Sequence, residues 1–202
     1  MALGVDYISL EDLKERLTVE DTVDDALLTA AIKAASRGIN QECGRDFQQA
    51  DVATPRLYRP TSATLVITHD LYTQDGLLVE IDTDDDGVHE TTVLASAYEL
   101  EPMDGVQNGQ IGWPFWRIRL VDGTEFPLGR RHTVRVTAKW GWAAVPDDIT
   151  QAAYVLAEDI AKLRDAPFGV GGFGEYGRIR ARQNPHVAML IKDYQRNTVR
   201  VA

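Results

Sequence analysis

Residues 133–164 read TVRVTAKWGWAAVPDDITQAAYVLAEDIAKLR, and two hydrophobic periods meet inside them. Up to Lys139 the period is two: Val134, Val136 and Ala138 point one way, Arg135, Thr137 and Lys139 the other, as in a strand with one wet face. After Pro146-Asp147-Asp148 the period becomes helical, with Ile149, Ala152 or Ala153, Leu156, Ile160 and Leu163 on one stripe. Acidic residues in the first turn suit the helix dipole. A sheet therefore gives way to a helix at this point of the chain.

Upstream the change runs in the opposite direction. Ser9 with Asp12 three residues later marks a short helix whose apolar face is Leu10, Leu13 and Leu17. Thr22 followed by Asp25 repeats the signal and predicts a helix over Thr22–Cys43, with Leu28, Ile32, Ala35, Ile39 and Cys43 in its stripe and Gly44 as the stop. From about Phe47 to Trp142 the period is two. Leu65–Ile67, Leu77–Ile81, Thr91–Leu94, Tyr98–Leu100, Phe115–Leu120 and Thr133–Lys139 read as strands separated by Asp, Gly, Asn and Pro turns. The fold class is α+β: a helical bundle (1–46 and 146–166) with an inserted small antiparallel β domain (47–145), either a sandwich or a partly open barrel. The two helical stripes are expected to pack together. A glycine-rich loop and a C-terminal basic helix (167–202) complete the chain, the helix starting at Asn184-Pro185 with Val187, Leu190, Ile191 and Tyr194 on its apolar side.

Composition narrows the function classes. With 202 residues, 44% hydrophobic and 26% charged, the chain reads as globular and soluble. Its longest apolar run, Ala152–Ala157, is far short of the roughly 20 residues of a membrane span, and MALGVDYISLEDLK carries no secretory pattern. One cysteine, Cys43, excludes an internal disulfide and suits a reducing cytoplasm; its place on an apolar stripe marks a structural thiol. The net charge is −10, yet residues 175–202 hold six Arg or Lys (Arg178, Arg180, Arg182, Lys192, Arg196, Arg200) against Glu175 and Asp193, a local +4. An acidic body lacks the basic face that duplex binding needs. The basic tail suits either nucleic acid or an acidic protein surface.

Motifs for chemistry are few. Asp82-Thr-Asp84-Asp-Asp86-Gly87 matches the first half of a calcium loop, a weak candidate site at Asp82, Asp84 and Asp86. Glu90 falls at the ninth position, but the twelfth is Val93 and the flanks read as strands, so an acidic hairpin tip is the preferred reading. Gly169-Val-Gly171-Gly-Phe-Gly174 fits GxGxxG formally, but follows a helix instead of a strand. It reads as a partner-moulding loop with Phe168, Phe173 and Tyr176 as anchors. His69, His89, His132 and His186 have no metal-like spacing and read as surface histidines. Trp113, Trp116, Trp140 and Trp142 read as anchors of the β core. There is no GxSxG, and neither an enzyme nor a cofactor is expected.

Three stretches carry a resemblance: YISLEDLKERL (7–17), DDALLTAAIKAASRGINQECGRDF (24–47) and GWAAVPDDITQAAYVLAEDIAKLRDAPFGVGGFGEYG (141–177). In this order they resemble the head-to-tail connector (adaptor) proteins of tailed bacteriophages. The resemblance implies a virion structural protein of the viral neck, assembled in the host cytoplasm. Some twelve copies would form a ring oligomer beneath the portal, touching the portal above and the next neck or tail-completion protein below. The ring would extend the channel through which DNA passes without sequence-specific binding. Portal contact would fall to the C-terminal region, with Phe173, Tyr176, Val187, Leu190, Ile191 and Tyr194 buried on docking and Arg178, Arg180 and Arg182 facing portal carboxylates. A calcium-binding β module and a nucleic-acid binder using the basic arm are the alternatives.

Overall fold

A computed structural model describes residues 6–129, 131–162 and 181–196. The chain divides into two compact units, Met1–Phe47 with Val145–Ala202, and Gln48–Ala144. Helices build the first. Helix α1 spans Leu10–Leu17, α2 Asp25–Cys43, α3 Asp147–Lys162 and α4 Pro185–Ile191. The Ser9 hydroxyl accepts the Asp12 amide at 3.0 Å, the expected cap. Helix α2 begins three residues later than the Thr22 signal predicts. The Asp21 carboxylate accepts the Val23 amide instead, holding that segment as a turn, and the first helical bond runs from Leu28 N–H to the Asp24 carbonyl at 2.9 Å. Gly44 ends α2 in the left-handed region at φ 63°.

The two stripes meet as expected. Leu28, Ala31, Ile32, Ala35, Ile39 and Cys43 of α2 are buried, as are Ile149, Ala152, Ala153, Leu156, Ala157 and Ile160 of α3, and the helices pack on each other. Leu163 lies outside the described residues. The alanines on both faces let the two backbones approach closely. Helix α1 adds Leu13, and α4 packs on α3 with Val187 and Ile191 fully buried.

The second unit is all β. Its strands are β1 (Thr54–Tyr58), β2 (Leu65–Leu71), β3 (Leu78–Ile81), β4 (Thr91–Val93), β5 (Tyr98–Glu101), β6 (Phe115–Leu120) and β7 (Val134–Ala138). They form two antiparallel sheets, β1-β7-β3-β4 and β2-β6-β5. Val66, Leu71, Val79, Leu100, Ile118, Phe126, Val134, Val136 and Ala138 form one shared core, so the unit is a small sandwich. Strand β7 alternates as its sequence requires. On the outer face Arg135 makes two bonds to Glu80, at 2.6 and 2.7 Å, across the β3–β7 pair.

Strand β1 is absent from the sequence reading because it contains Pro55. Proline cannot donate to a ladder, and β1 lies at a sheet edge, where that deficit is tolerated. Trp113, Trp140 and Trp142 are buried and Trp116 is half-buried. The indole of Trp140 donates to the Thr54 carbonyl at 2.8 Å, and that of Trp142 to Asp70 at 3.2 Å. The unit's two ends are sewn together. Ala50 N–H donates to the Trp140 carbonyl (2.9 Å) and Trp142 N–H to the Gln48 carbonyl (3.2 Å). Between them Gly141 sits at φ 101°, where a Cβ would fall 1.5 Å from the Gln48 carbonyl oxygen.

Candidate functional site

The acidic turn between β3 and β4 is built around a buried carboxylate. Asp82 accepts the amides of Asp86 at 3.1 Å and Gly87 at 2.7 Å, one on each oxygen. Asp84 accepts the Asp86 amide at 3.3 Å, and Asp86 accepts that of Val88 at 2.7 Å. Asp85 and Gly87 adopt positive φ, 61° and 99°, which curls the backbone so that its N–H groups point inward. Among the described residues, Asp82, Asp84 and Asp86 are the one group of three or more His, Cys, Asp or Glu able to share an ion, with ligand atoms within 4.8 Å of one another. Backbone donors and the Arg131 guanidinium, which reaches the Asp86 carbonyl at 2.7 Å, supply positive charge there. Glu90, the ninth loop position, accepts the hydroxyl and amide of Thr83, and the hydroxyl bond above all holds its carboxyl below the usual range.

Of the docking residues predicted in the C-terminal region, Phe173, Tyr176, Arg178 and Arg180 lie outside the described residues, as does the Gly169–Gly174 motif. Arg182 is exposed and Leu190 half-buried. Val187, Ile191 and Tyr194 are buried by this chain's own helices, so the expectation that a partner would bury them is corrected. The segment is tied down at several points. The Arg45 guanidinium donates to the Tyr194 carbonyl at 2.8 Å, and Arg196 N–H to the Cys43 carbonyl at 2.9 Å. The Tyr194 ring meets Phe47 edge-on at 5.8 Å, and its hydroxyl donates to Asp148 at 3.3 Å. Burial, with Asp148 adding to it, pushes that phenol up to about 12. An amphipathic stripe announces that one face is covered, but not by which surface.

The four histidine rings form no common cluster, and His89 is buried in the sandwich unit, a correction to its reading as a surface residue. His69 shares a 2.8 Å bond with the Tyr58 hydroxyl, the His89 ring lies 3.1 Å from the His132 carbonyl, and His132 and His186 are exposed. Cys43 is buried, and burial pushes its thiol up to about 12, the reverse of what a nucleophile needs.

One feature escapes the sequence reading altogether. Between β5 and β6 the chain forms a tight loop whose tip is a two-residue hairpin. Gln107 and Gln110 exchange both backbone bonds at 2.9 Å, while Asn108 and Gly109 take positive φ of 51° and 78°. The Asn-Gly pair is the signal for such a turn. At its base the Trp113 amide donates to the Gly105 carbonyl at 2.9 Å, and the buried Trp113 ring packs on Trp142 with centroids 5.0 Å apart. The loop holds Met103, Val106 and Ile111 in solvent at 60%, 40% and 84% exposure. From Met103 to Trp113 its one charged residue is Asp104.

Comparison with known proteins gives three findings. Residues 7–97 match the family of phage gp6-like head-tail connector proteins. That stretch, a little under half of the chain, covers α1, α2 and the sandwich as far as the turn before β5. Across the whole chain the fold is similar to the neck of an empty gene transfer agent (GTA) particle computed with C6 symmetry. There the identity is 21% and the TM-score 0.57, covering 100% of this chain and 95% of that one. It is also similar to a chain in the virion of a native gene transfer agent particle, at 20% identity and TM-score 0.51, covering 97% and 92%. No curated protein matches closely enough to count as a relative.

Proposed function

We propose that this chain, whose first half matches the head-tail connector family, is a structural protein of a virion neck that joins head to tail as part of a ring. The observation that carries the reading is this family match over α1, α2 and the start of the sandwich, combined with a neck-protein fold along the chain's whole length. The symmetry of that similar neck supports the ring. A structural role, not an enzymatic one, agrees with a chemistry in which carboxylates bond backbone amides and the lone thiol is buried.

In this reading the helical unit is the ring-forming body and residues 48–144 are an inserted domain. The portal lies above, the next neck or tail-completion protein below. DNA passes through a channel whose acidic wall repels phosphate, so that it slides without adhering. Docking on the portal falls to the basic segment around Arg178, Arg180 and Arg182. Helix α4 serves this segment as an anchor, since Val187, Ile191 and Tyr194 fix it to the helical unit. Charged rims set encounter rate and salt dependence, so the contact should weaken as salt screens it.

The test is to mix purified full-length protein with portal particles and image the product. Wild type should add a ring of density beneath the portal. Reversal of Arg178, Arg180 and Arg182 to Glu should reduce decoration while leaving the melting temperature unchanged. Bare portals with the wild-type chain would refute the assignment. Normal decoration by the triple variant would place the docking surface elsewhere.

A further inference from the structure

We propose that the loop between β5 and β6, uncharged from Gly105 to Gly112 and carrying the exposed Ile111, is where one copy of this chain packs on the next. The inference rests on the ring reading and adds a contact surface to it. Its first support is electrostatic. Every copy carries a net charge of −10, so contact between copies is least opposed where charge is absent. Residues 105–112 (GVQNGQIG) hold no charge, in a chain in which 26% of residues are charged.

The second support is apolar exposure. Met103, Val106 and Ile111 crowd into nine residues at 60%, 40% and 84% exposure. Three apolar side chains of that size held in water within one short loop point to a contact surface. A basic or nucleic-acid partner would call for carboxylates or cations at the tip. An acidic twin calls for neither.

The third support is preorganisation. The reciprocal Gln107–Gln110 bonds, the Trp113–Gly105 bond and the Trp113–Trp142 packing fix the tip before any partner arrives. Gly105 belongs to the same device. A Cβ there would lie 2.9 Å from the Trp113 carbonyl oxygen, so the base of the loop closes only around glycine. A preformed loop loses little conformational entropy on binding. Ring contacts are heterologous, so the tip meets a different patch of the neighbour, not its own image.

The experiment uses the full chain with a benzophenone amino acid at position 111, prepared unlabelled and 15N-labelled and mixed at high concentration. After irradiation, mass spectrometry should find peptides joining position 111 to a chain of the other label. In parallel, Ile111→Asp should weaken self-association in sedimentation velocity by at least about tenfold, with wild-type circular dichroism and melting temperature, since the side chain is solvent-exposed. No mixed-label product, or wild-type association by Ile111→Asp, overturns the proposal. The ring reading is scored separately on portal particles. Rings formed equally well by Ile111→Asp sink the loop and spare the ring. Where wild type forms no ring the ring reading fails, and the mixed-label product alone decides the loop.

Discussion

Replacing Leu156 with alanine should destabilise the helical unit and leave the sandwich intact. Leu156 is fully buried in α3, which packs on the alanine-rich buried face of α2. Alanine neighbours have no side-chain length with which to fill a hole, so the cavity should persist. The cost then falls in the upper part of the usual range for this change, about 3–4 kcal/mol. For a unit of this size a urea slope of roughly 1–1.5 kcal/mol/M applies, so the unfolding midpoint should drop by about 2–4 M. The chain supplies its own separate reporters. Trp113, Trp116, Trp140 and Trp142 all lie in Gln48–Ala144, so indole fluorescence follows the sandwich. Circular dichroism at 222 nm follows the helices. In Leu156→Ala the dichroism midpoint should fall while the fluorescence midpoint holds. Equal falls in both signals would refute independent units, and no fall in either would refute the buried role of Leu156.

Gly141→Ala should disrupt the sandwich by about 3 kcal/mol or more, because φ of 101° and a Cβ 1.5 Å from the Gln48 carbonyl leave no room; fluorescence melting checks this, and a loss below 1 kcal/mol would contradict it. Asp82→Ala should cost about 1–3 kcal/mol, since two amides lose their buried acceptor. Millimolar calcium should leave the wild-type melting temperature within about 2 °C, because backbone donors already meet the Asp82 carboxylate; a larger rise that Asp84→Ala abolishes would assign an ion site there. Cys43, its thiol pushed up to about 12, should resist alkylation at pH 8 in the native protein and react once urea unfolds it. Labelling of native protein at the rate of a free thiol would show the helical core to be open.

Much of this architecture can be read from local chemistry. The change of period at Pro146, the Ser9 cap, the Gly44 stop and the alternation of β7 are all decided by neighbours in sequence. Three readings needed more. Pro55 conceals β1, because a proline looks like a strand breaker until the strand is known to be an edge. The start of α2 depends on whether Asp21 or Thr22 wins a backbone amide, a contest of small energies. The face of α4 depends on long-range contact with α3, and the place of Tyr194 just beyond it on Arg45 and Phe47, and a periodicity names no partner. Truncation after Arg164 removes Val187, Ile191 and Tyr194 from the core, so it would test stability along with docking. Charge reversal at the arginines is the cleaner perturbation.

The stitched ends of the sandwich also bear on how the chain folds during synthesis. Helix α2 leaves the ribosome about a hundred residues ahead of α3, the surface that covers it. At 5–20 residues per second this is a wait of roughly 5–20 s. In an open coil, closing a gap of that length costs about 4 kcal/mol of chain entropy. Both ends of the sandwich emerge before α3 does. Once Ala50 pairs with Trp140 and Trp142 with Gln48, that gap shrinks to Gly44–Phe47 on one side and Ala143–Pro146 on the other. The sandwich then acts as a clasp for the nascent bundle, and α2 and α3 meet as though joined by a short loop. A mutation that unclasps Gly141 should therefore slow helix pairing in refolding experiments, although it touches no helix.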